Sequence, residues 1–362
     1  MLSDVYLINN NPPHSGVGRY AFTLHRYLSK MGLKARFIDL HRDLFNSNFY
    51  RLGRLGLAWP YYIVKFEMET LRLRIGEGSI VHVTNNGYLA KIIPRLKKSI
   101  HGIRIVTTVH DTIPLIYRGL SASFMASAYK KIMYSDYIIC VSKFTADHLP
   151  SYLKSLPHRV IYHGVDHELF RPRNKEKARK ILRLPINRPI ILNVGSEEPR
   201  KNTPTLLKAF RKVVEKIPRA ILVRIGAPER SSLKLIELLG LSGKVLYRRA
   251  TESEVALYYN AADLLVHPAY YEGFGFPLIE AMASGTPIVA AYAAAIPEIV
   301  GNAAILVNPF DIDSLAISIV DLLSSKSLSQ DLVERGFNRS AMFSWEKTAT
   351  QTIEIYKKLS KS

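Results

Sequence analysis

Two glutamates eight positions apart, Glu272 and Glu280, bracket a glycine-aromatic loop in YEGFGFPLIEAMASG (271–285). Paired carboxylates suggest glycosidase chemistry first. Here Glu272 falls in the loop and Glu280 just inside the following helix, whose first turn suits Pro277 because its missing N–H costs nothing there. Free N–H groups between Gly273 and Leu278 would then point toward a ligand. Beside such a backbone, a carboxylate is more useful for gripping sugar hydroxyls than for attacking carbon. A loop glutamate plus an exposed helical one would explain the acids but not GFGFP.

Three further stretches carry chemistry, each just after a strand-like run. HSGVGRY (14–20) places Gly16 and Gly18 ahead of a helix, where backbone can approach an anion; a plain turn into a helix is the competing reading. TTVHDTIPL (107–115) ends a strand with His110 and Asp111, which could orient a sugar hydroxyl or merely cap the next segment. GSEEPRKN (195–202) sets Arg200 and Lys201 at the expected start of the helix TPTLLKAFRKVVEKI. Cations there oppose the macrodipole, at up to about 1 kcal/mol each, and a bound diphosphate would reverse that cost.

These motifs need a scaffold, and the chain supplies a regular one. Strand-like runs at 5–9, 35–40, 79–83, 104–110, 136–142 and 159–163 alternate with helical patterns. The charged, proline-bounded stretch 170–189 interrupts them. The alternation then restarts at 189–195, 220–226, 244–249, 263–268, 286–291 and 303–308. This predicts an α/β protein of two doubly wound parallel-sheet units, 1–169 and 170–342, with ligand outside the carboxyl ends of the strands. A terminal helix follows in 343–362, with Ser344 as its N-cap.

Composition narrows the class. The chain has 362 residues, 48% hydrophobic and 22% charged, enough for two full cores. No apolar run reaches the roughly 18 residues of a membrane span, and the N-terminus lacks a secretory pattern. The single Cys140 excludes an internal disulfide and fits a cytoplasmic protein. The net charge of +20, shared by both halves, favours an anionic partner: nucleic acid, a nucleotide-linked substrate or anionic lipid.

With EGFGFPLIE (272–280), HSGVGRY, VHDTIPL, CVSKFTADHL, VIYHGVDHELFRP, VGSEEPRKN and FSWEKTA in that order, the chain resembles the retaining GT-B glycosyltransferases of family 4, often called group 1, including mannosyltransferase-like members. The resemblance covers nearly the whole chain, and its most specific element is the E-x7-E spacing. It implies two Rossmann-like domains facing a cleft, the second binding a GDP- or UDP-hexose, and a last helix returning to the first. It implies that Glu272 steadies positive charge at the donor's anomeric carbon and Glu280 accepts from the ribose diol. Gly273, Phe274 and Gly275 would hold sugar hydroxyls through their amides, with Phe276 and Leu278 facing the diphosphate. Lys201, with Arg200 beside Gly195, would neutralise the leaving diphosphate. Gly16 in the first loop would approach phosphates or acceptor, and His110 would lie near the reacting bond.

Three positions depart from the family pattern. Ser196 stands where many relatives have arginine, with Arg200 as the compensating cation. Ala294 and Ala295 replace a GG or SS pair before Ile296, Pro297 and Glu298. His163 replaces the asparagine common before GVD. With no obvious nucleophile, retention points to same-face substitution, in which the protein positions the reactants and stabilises leaving-group charge. No Asp-x-Asp cradle follows a strand, so metal independence and no cofactor are expected. The base would lie near Arg248 to Thr251.

The acceptor is addressed by two cationic-apolar segments, 49–74 with Trp59 and several tyrosines, and 91–104. They predict peripheral contact with an anionic membrane and a lipid-linked or membrane-proximal glycan acceptor; a helix packed on the domain with its basic side solvated is the competing reading. A GT-B epimerase or phosphorylase, a nucleic-acid-binding protein and a dinucleotide oxidoreductase are alternatives. No nucleic-acid motif and no GxGxxG after the first strand favours the last two.

Overall fold

The computed structural model describes residues 3–41, 65, 74–116 and 126–361. Of the segment 49–74, only residues 65 and 74 fall within that description, so the reading placed on Trp59 and its neighbours lies outside it. The chain forms two compact units, 1–163 with 345–362, and 164–344.

The first unit carries β1 (Val5–Asn9), β2 (Ala35–Asp39), β3 (Ile80–Val83), β4 (Arg104–Val109), β5 (Tyr137–Cys140) and β6 (His158–Val160). They pair in parallel in the order β2-β1-β3-β4-β5-β6. β1, β3 and β5 are buried along their whole length, because helices cover both faces of a parallel sheet. The helix Gly16–Lys30 starts at Ser15, whose Oγ accepts from Gly18 N at 3.0 Å, and stops before Gly32 in the left-handed region. It packs against the C-terminal helix Trp345–Leu359, which belongs to this unit. Cys140 is fully buried, and burial pushes its thiol up to about 12, so it is inert core.

The basic segment 91–104 is partly inside this core. Ile92, Ile93, Leu96 and Ile103 are buried, and Lys97 donates to Ile103 O and pairs with Asp136 at 2.5 Å. Its apolar side is therefore occupied by the fold, and Lys98 remains exposed.

The second unit carries β7 (Ile190–Val194), β8 (Ile221–Ile225), β9 (Val245–Arg248), β10 (Leu264–His267), β11 (Ile288–Ala291) and β12 (Ile305–Val307). All pair in parallel, in the order β12-β11-β10-β7-β8-β9. The chain winds one way from β7 to β9 and the other way from β10 to β12. The two crossovers part between the paired strands β7 and β10, the topological switch point where such sheets leave an open crevice.

The stretch 170–189 is not a free boundary. Its helix, Lys175–Ile181, packs on the helix Glu252–Ala261 and buries Arg179. That guanidinium donates to Asp263 Oδ2 at 2.7 Å and to Ala261 O at 2.8 Å. The charged stretch that interrupts the strand–helix alternation is pinned by one arginine onto the second unit. Among the described residues, no helix is long and apolar enough to cross a membrane.

Candidate active site

At the switch point, β7 runs out into Gly195 and β10 into the loop that holds Glu272. Gly195 (φ +148°) lies against the Lys201 stem, within 3.8 Å of where its own Cβ would stand. Gly226 (φ +151°) ends the neighbouring β8, and a Cβ there would meet Gly195 O at 2.4 Å. Gly226 is thus demanded by the close approach of the two strand ends, and Gly195 by its positive φ. Asn202, left-handed at φ 58°, then ties the loop down by donating from Nδ2 to Pro268 O at 3.2 Å and Pro309 O at 2.7 Å.

Arg200 and Lys201 do not open the helix Thr203–Lys216. They occupy a separate 3₁₀ turn, Pro199–Lys201, ahead of it. Asn202 breaks the path between turn and helix, so the two cations are aimed across the sheet edge rather than set on a helix terminus. What meets them is Glu272. Lys201 Nζ donates to its Oε1, and Arg200 Nη1 donates to its Oε2 at 3.0 Å. His267 Nε2, at the end of β10, lies 3.1 Å from Oε1. Arg200 also pairs with Glu198, whose other oxygen accepts from Ser196 Oγ at 2.8 Å. Ser196 thus steadies a partner of Arg200.

Glu272 is only 6% exposed. Burial by itself would raise its carboxyl; Lys201, His267 and Arg200 outweigh that and hold it well below the usual carboxylate range. An anion clasped by two cations inside the crevice is a charge arrangement that a diphosphate can join. Its cations can turn to the phosphates while the carboxylate is released to hydroxyl groups.

The glycine-aromatic loop ends at Gly275, φ +98°, where a Cβ would press to 2.9 Å from Leu278 Cδ1. Only glycine fits this left-handed entry. The helix Phe276–Ser284 follows with Pro277 in its first turn. Phe274 is buried, with its ring edge-on to Phe276 and to Phe343, so the ring packs inward and only backbone is left to face a ligand. Glu280 is 2% exposed rather than a solvated helical residue, and its Oε2 accepts from Tyr259 Oη at 2.9 Å. The two glutamates have separate partners and do not form an acid/base pair. Opposite the loop, Ala295 N donates to Glu272 O at 3.3 Å, and Ala294 is held at φ 49°. The alanine there occupies backbone that glycine adopts without strain.

A second buried network supports the cationic turn and was not foreseen from sequence. Arg224, 1% exposed on β8, donates to Thr203 Oγ1 at 2.7 Å and stands 3.7 Å from Glu197. Glu197 accepts from Tyr247 Oη at 2.5 Å and from Glu229 N at 2.7 Å. Arg224 thereby fixes both ends of the loop 197–203. The signal that could have found it is an arginine inside the otherwise apolar strand run ILVRI. Arg248 ends β9, and Thr251 caps the helix Glu252–Ala261 in a capping box with Glu254.

In the first unit, Gly16 is exposed at the helix start. Gly18 is buried, and a Cβ there would overlap Pro12 O at 1.9 Å. Gly18 is thus demanded by the close approach of the Asn11–Pro12 backbone. His110 follows β4 with 8% exposure, and its Nε2 lies 2.8 Å from Thr84 O. A carbonyl can only accept, so Nε2 carries the proton and Nδ1 is the acceptor. Burial lowers its pKa to about 4, leaving a neutral ring near pH 7. Asp111 Oδ1 accepts from Ile113 N at 3.1 Å, a local turn. His163 lies 5.4 Å from His110, ring to ring, with Tyr20 packed on both.

Two six-stranded parallel sheets among the described residues, the second with a carboxylate and two cations joined at its switch point, define a two-unit α/β protein of the doubly wound class. The sequence families Glycosyltransferase Family 4 and Glycosyl transferases group 1 match residues 14–169 and 174–339, and between them cover most of the chain. The chain belongs to this glycosyltransferase family, whose fold is GT-B. It is similar to the O-antigen chain mannosyltransferase B of Escherichia coli, 34% identical over 46% of this chain and 45% of that protein. It is also similar to the MMP alpha-(1->4)-mannosyltransferase of Mycolicibacterium hassiacum, 36% identical over 55% of this chain and 48% of that protein. The aligned part thus spans about half the length of these curated relatives. In fold it is similar to the sucrose-phosphate synthase of Thermosynechococcus elongatus, with a TM-score of 0.78, 23% identity and 99% of each chain covered.

Proposed function

We propose that this chain is a retaining glycosyltransferase that moves a hexose from a nucleoside-diphosphate sugar to a hydroxyl of a glycan. The observation that carries this reading is Glu272 held between Lys201 and Arg200 at the β7–β10 switch point. In the reaction, Lys201 and Arg200 neutralise the departing diphosphate, and Glu272 grips the hexose and steadies charge at its anomeric carbon. Glu280 receives the ribose diol. The amides of Gly273 to Leu278 face the sugar and the diphosphate, and the base lies near Arg248 to Thr251. His110, as a neutral ring whose Nε2–H is held by Thr84 O, offers Nδ1 as an acceptor to a substrate hydroxyl without adding charge. The leaving phosphate takes the acceptor's proton on the same face. Two side-chain cations on the diphosphate fit turnover without a divalent ion. The two mannosyltransferase relatives favour mannose as the hexose.

Thermal shift and hydrolysis across GDP-mannose, UDP-glucose and their relatives test the donor. One nucleotide class is expected to raise the melting temperature and to be turned over equally with and without EDTA. No response to any nucleotide sugar would end the reading, and abolition by EDTA would end its metal-independent part.

We further propose a lipid-linked or membrane-proximal acceptor, supported by the net charge of +20 and the exposed Lys98. Flotation with anionic liposomes is expected to carry the protein at low salt and to release it as salt screens the charge. Absence of binding at low salt overturns membrane contact and leaves the donor reading intact.

A further inference from the structure

Three donors converge on Glu272, and they are not alike. Lys201 and Arg200 are cations on long stems from a short turn. His267 is a compact ring on the last residue of β10, 1% exposed and walled by the sheet. Its Nε2 lies 3.1 Å from Glu272 Oε1, so Nε2 carries the proton. Its Nδ1 is buried and has no partner among the described residues. An imidazolium would leave a buried N–H unmet at Nδ1, beside two cations already present, whereas a neutral ring leaves only a lone pair. Burial also lowers the ring's proton affinity, in opposition to Glu272. The ring is therefore neutral.

A neutral imidazole with one idle nitrogen is a poor core residue. Leu264, Leu265 and Val266 fill the rest of this strand, and an apolar fourth residue would avoid the unsatisfied Nδ1. What the histidine supplies that they do not is a single uncharged donor aimed at Glu272. Charge decides why that matters. A diphosphate competes for Lys201 and Arg200 because it carries more negative charge than one carboxylate and forms strong charge-assisted hydrogen bonds with both. It has no comparable pull on a neutral ring fixed to a strand.

We infer that His267 is the positioning residue of this site, its neutral Nε2–H holding Glu272 in register for the donor hexose when the diphosphate recruits Lys201 and Arg200. This rests on the donor-site reading above. His267 touches neither sugar nor phosphate in this scheme, and acts through Glu272.

The test pairs His267→Leu, which removes the donor, with His267→Gln, whose amide nitrogen can reach the place of Nε2. The substrate is whichever of GDP-mannose and UDP-glucose the wild type turns over. His267→Leu is expected to lower kcat by about 10- to 100-fold, the worth of a hydrogen bond to a charged group, with the donor KM within about threefold. His267→Gln is expected to restore most of kcat. Equal losses in both variants would make the role one of packing and overturn the inference, as would wild-type kcat in His267→Leu. Should the leucine variant fail to fold, the wild-type protein decides. Its ¹⁵N-histidine spectrum is expected to show His267, assigned by its loss in His267→Gln, as the neutral Nε2–H tautomer before and after addition of GDP or UDP, whichever matches that substrate. An imidazolium, an Nδ1–H tautomer or a change of tautomer with that nucleotide would overturn it. Glu272→Ala separates the two levels. Wild-type turnover in that variant defeats the donor-site reading, whereas an inactive Glu272→Ala beside a fully active His267→Leu defeats only the role of His267.

Discussion

Glu272→Gln is expected to lower turnover by about 100-fold or more and to weaken the fold by about 3 kcal/mol near pH 7. Both effects have one cause. The carboxylate is buried and its charge is matched by Lys201 and Arg200, whose side chains are 15% and 16% exposed. Glutamine keeps the shape but leaves two nearly buried cations facing a neutral amide. Removing one partner from a buried ion cluster strands the others, which is costly.

The pH dependence carries a sign that a packing defect would not. Glu272 ionises far more readily in the folded protein than in the unfolded chain, where a glutamate titrates at about 4.3. The stability it contributes is therefore fully present above that pH and lost as pH falls toward the folded value. Wild-type and Glu272→Gln unfolding free energies should differ near neutrality and converge on acidification. Denaturant melts at two pH values measure this, and a gap independent of pH would remove the electrostatic account. Whichever of GDP and UDP corresponds to the donor should narrow the gap at neutral pH, because its phosphates return negative charge to Lys201 and Arg200.

How much of this was legible in the sequence follows from range. The twelve described strands can be read because most contain a short apolar run bounded by turn residues, as parallel strands buried on both faces must; the less buried β2, β6 and β9 still carry enough of it. The loop 271–275 and the Glu280 helix are equally local. What is not local is the order of the strands. β10 lies beside β7, with two strands between them in the chain, and only that adjacency brings Lys201 to Glu272. Read along the chain, Arg200 and Lys201 look like cations at a helix start awaiting an anion. In space the anion is already there, and it is a side chain of the same unit. His267 was missed because it reads as the end of an apolar strand. Arg224 was missed because an arginine in a strand passes for a solvent-facing one until both faces of that strand are known to be covered.

Gly18 shows the reverse case. Its place in a GxG ahead of a helix invites a ligand, yet Pro12 O fills the space a side chain would need. The glycine is explained before any phosphate is brought in. Gly275 differs, since its left-handed backbone sets where the Glu280 helix begins and therefore where the amides of the loop are presented.

Lys201→Ala is expected to lower kcat by about 100- to 1000-fold, more than Arg200→Ala, while the protein stays folded. The asymmetry comes from the partners. Arg200 divides its guanidinium between Glu272 and Glu198, which is exposed, whereas Lys201 is committed to Glu272 and lies against Gly195 at the end of β7. Losing Lys201 leaves Glu272 bonded to Arg200 and His267, so the carboxylate keeps company and the fold loses less than in Glu272→Gln. The leaving diphosphate, by contrast, loses the cation closest to the strand end. Lys201→Arg should recover little, because a planar guanidinium on a longer stem does not place a compact cation where the ammonium meets Glu272. Steady-state kinetics on the four variants, with melting temperatures alongside, check the order. Wild-type turnover in Lys201→Ala would remove the lysine from the reaction, and a stability loss equal to that of Glu272→Gln would mean that Arg200 and His267 cannot hold the carboxylate without it.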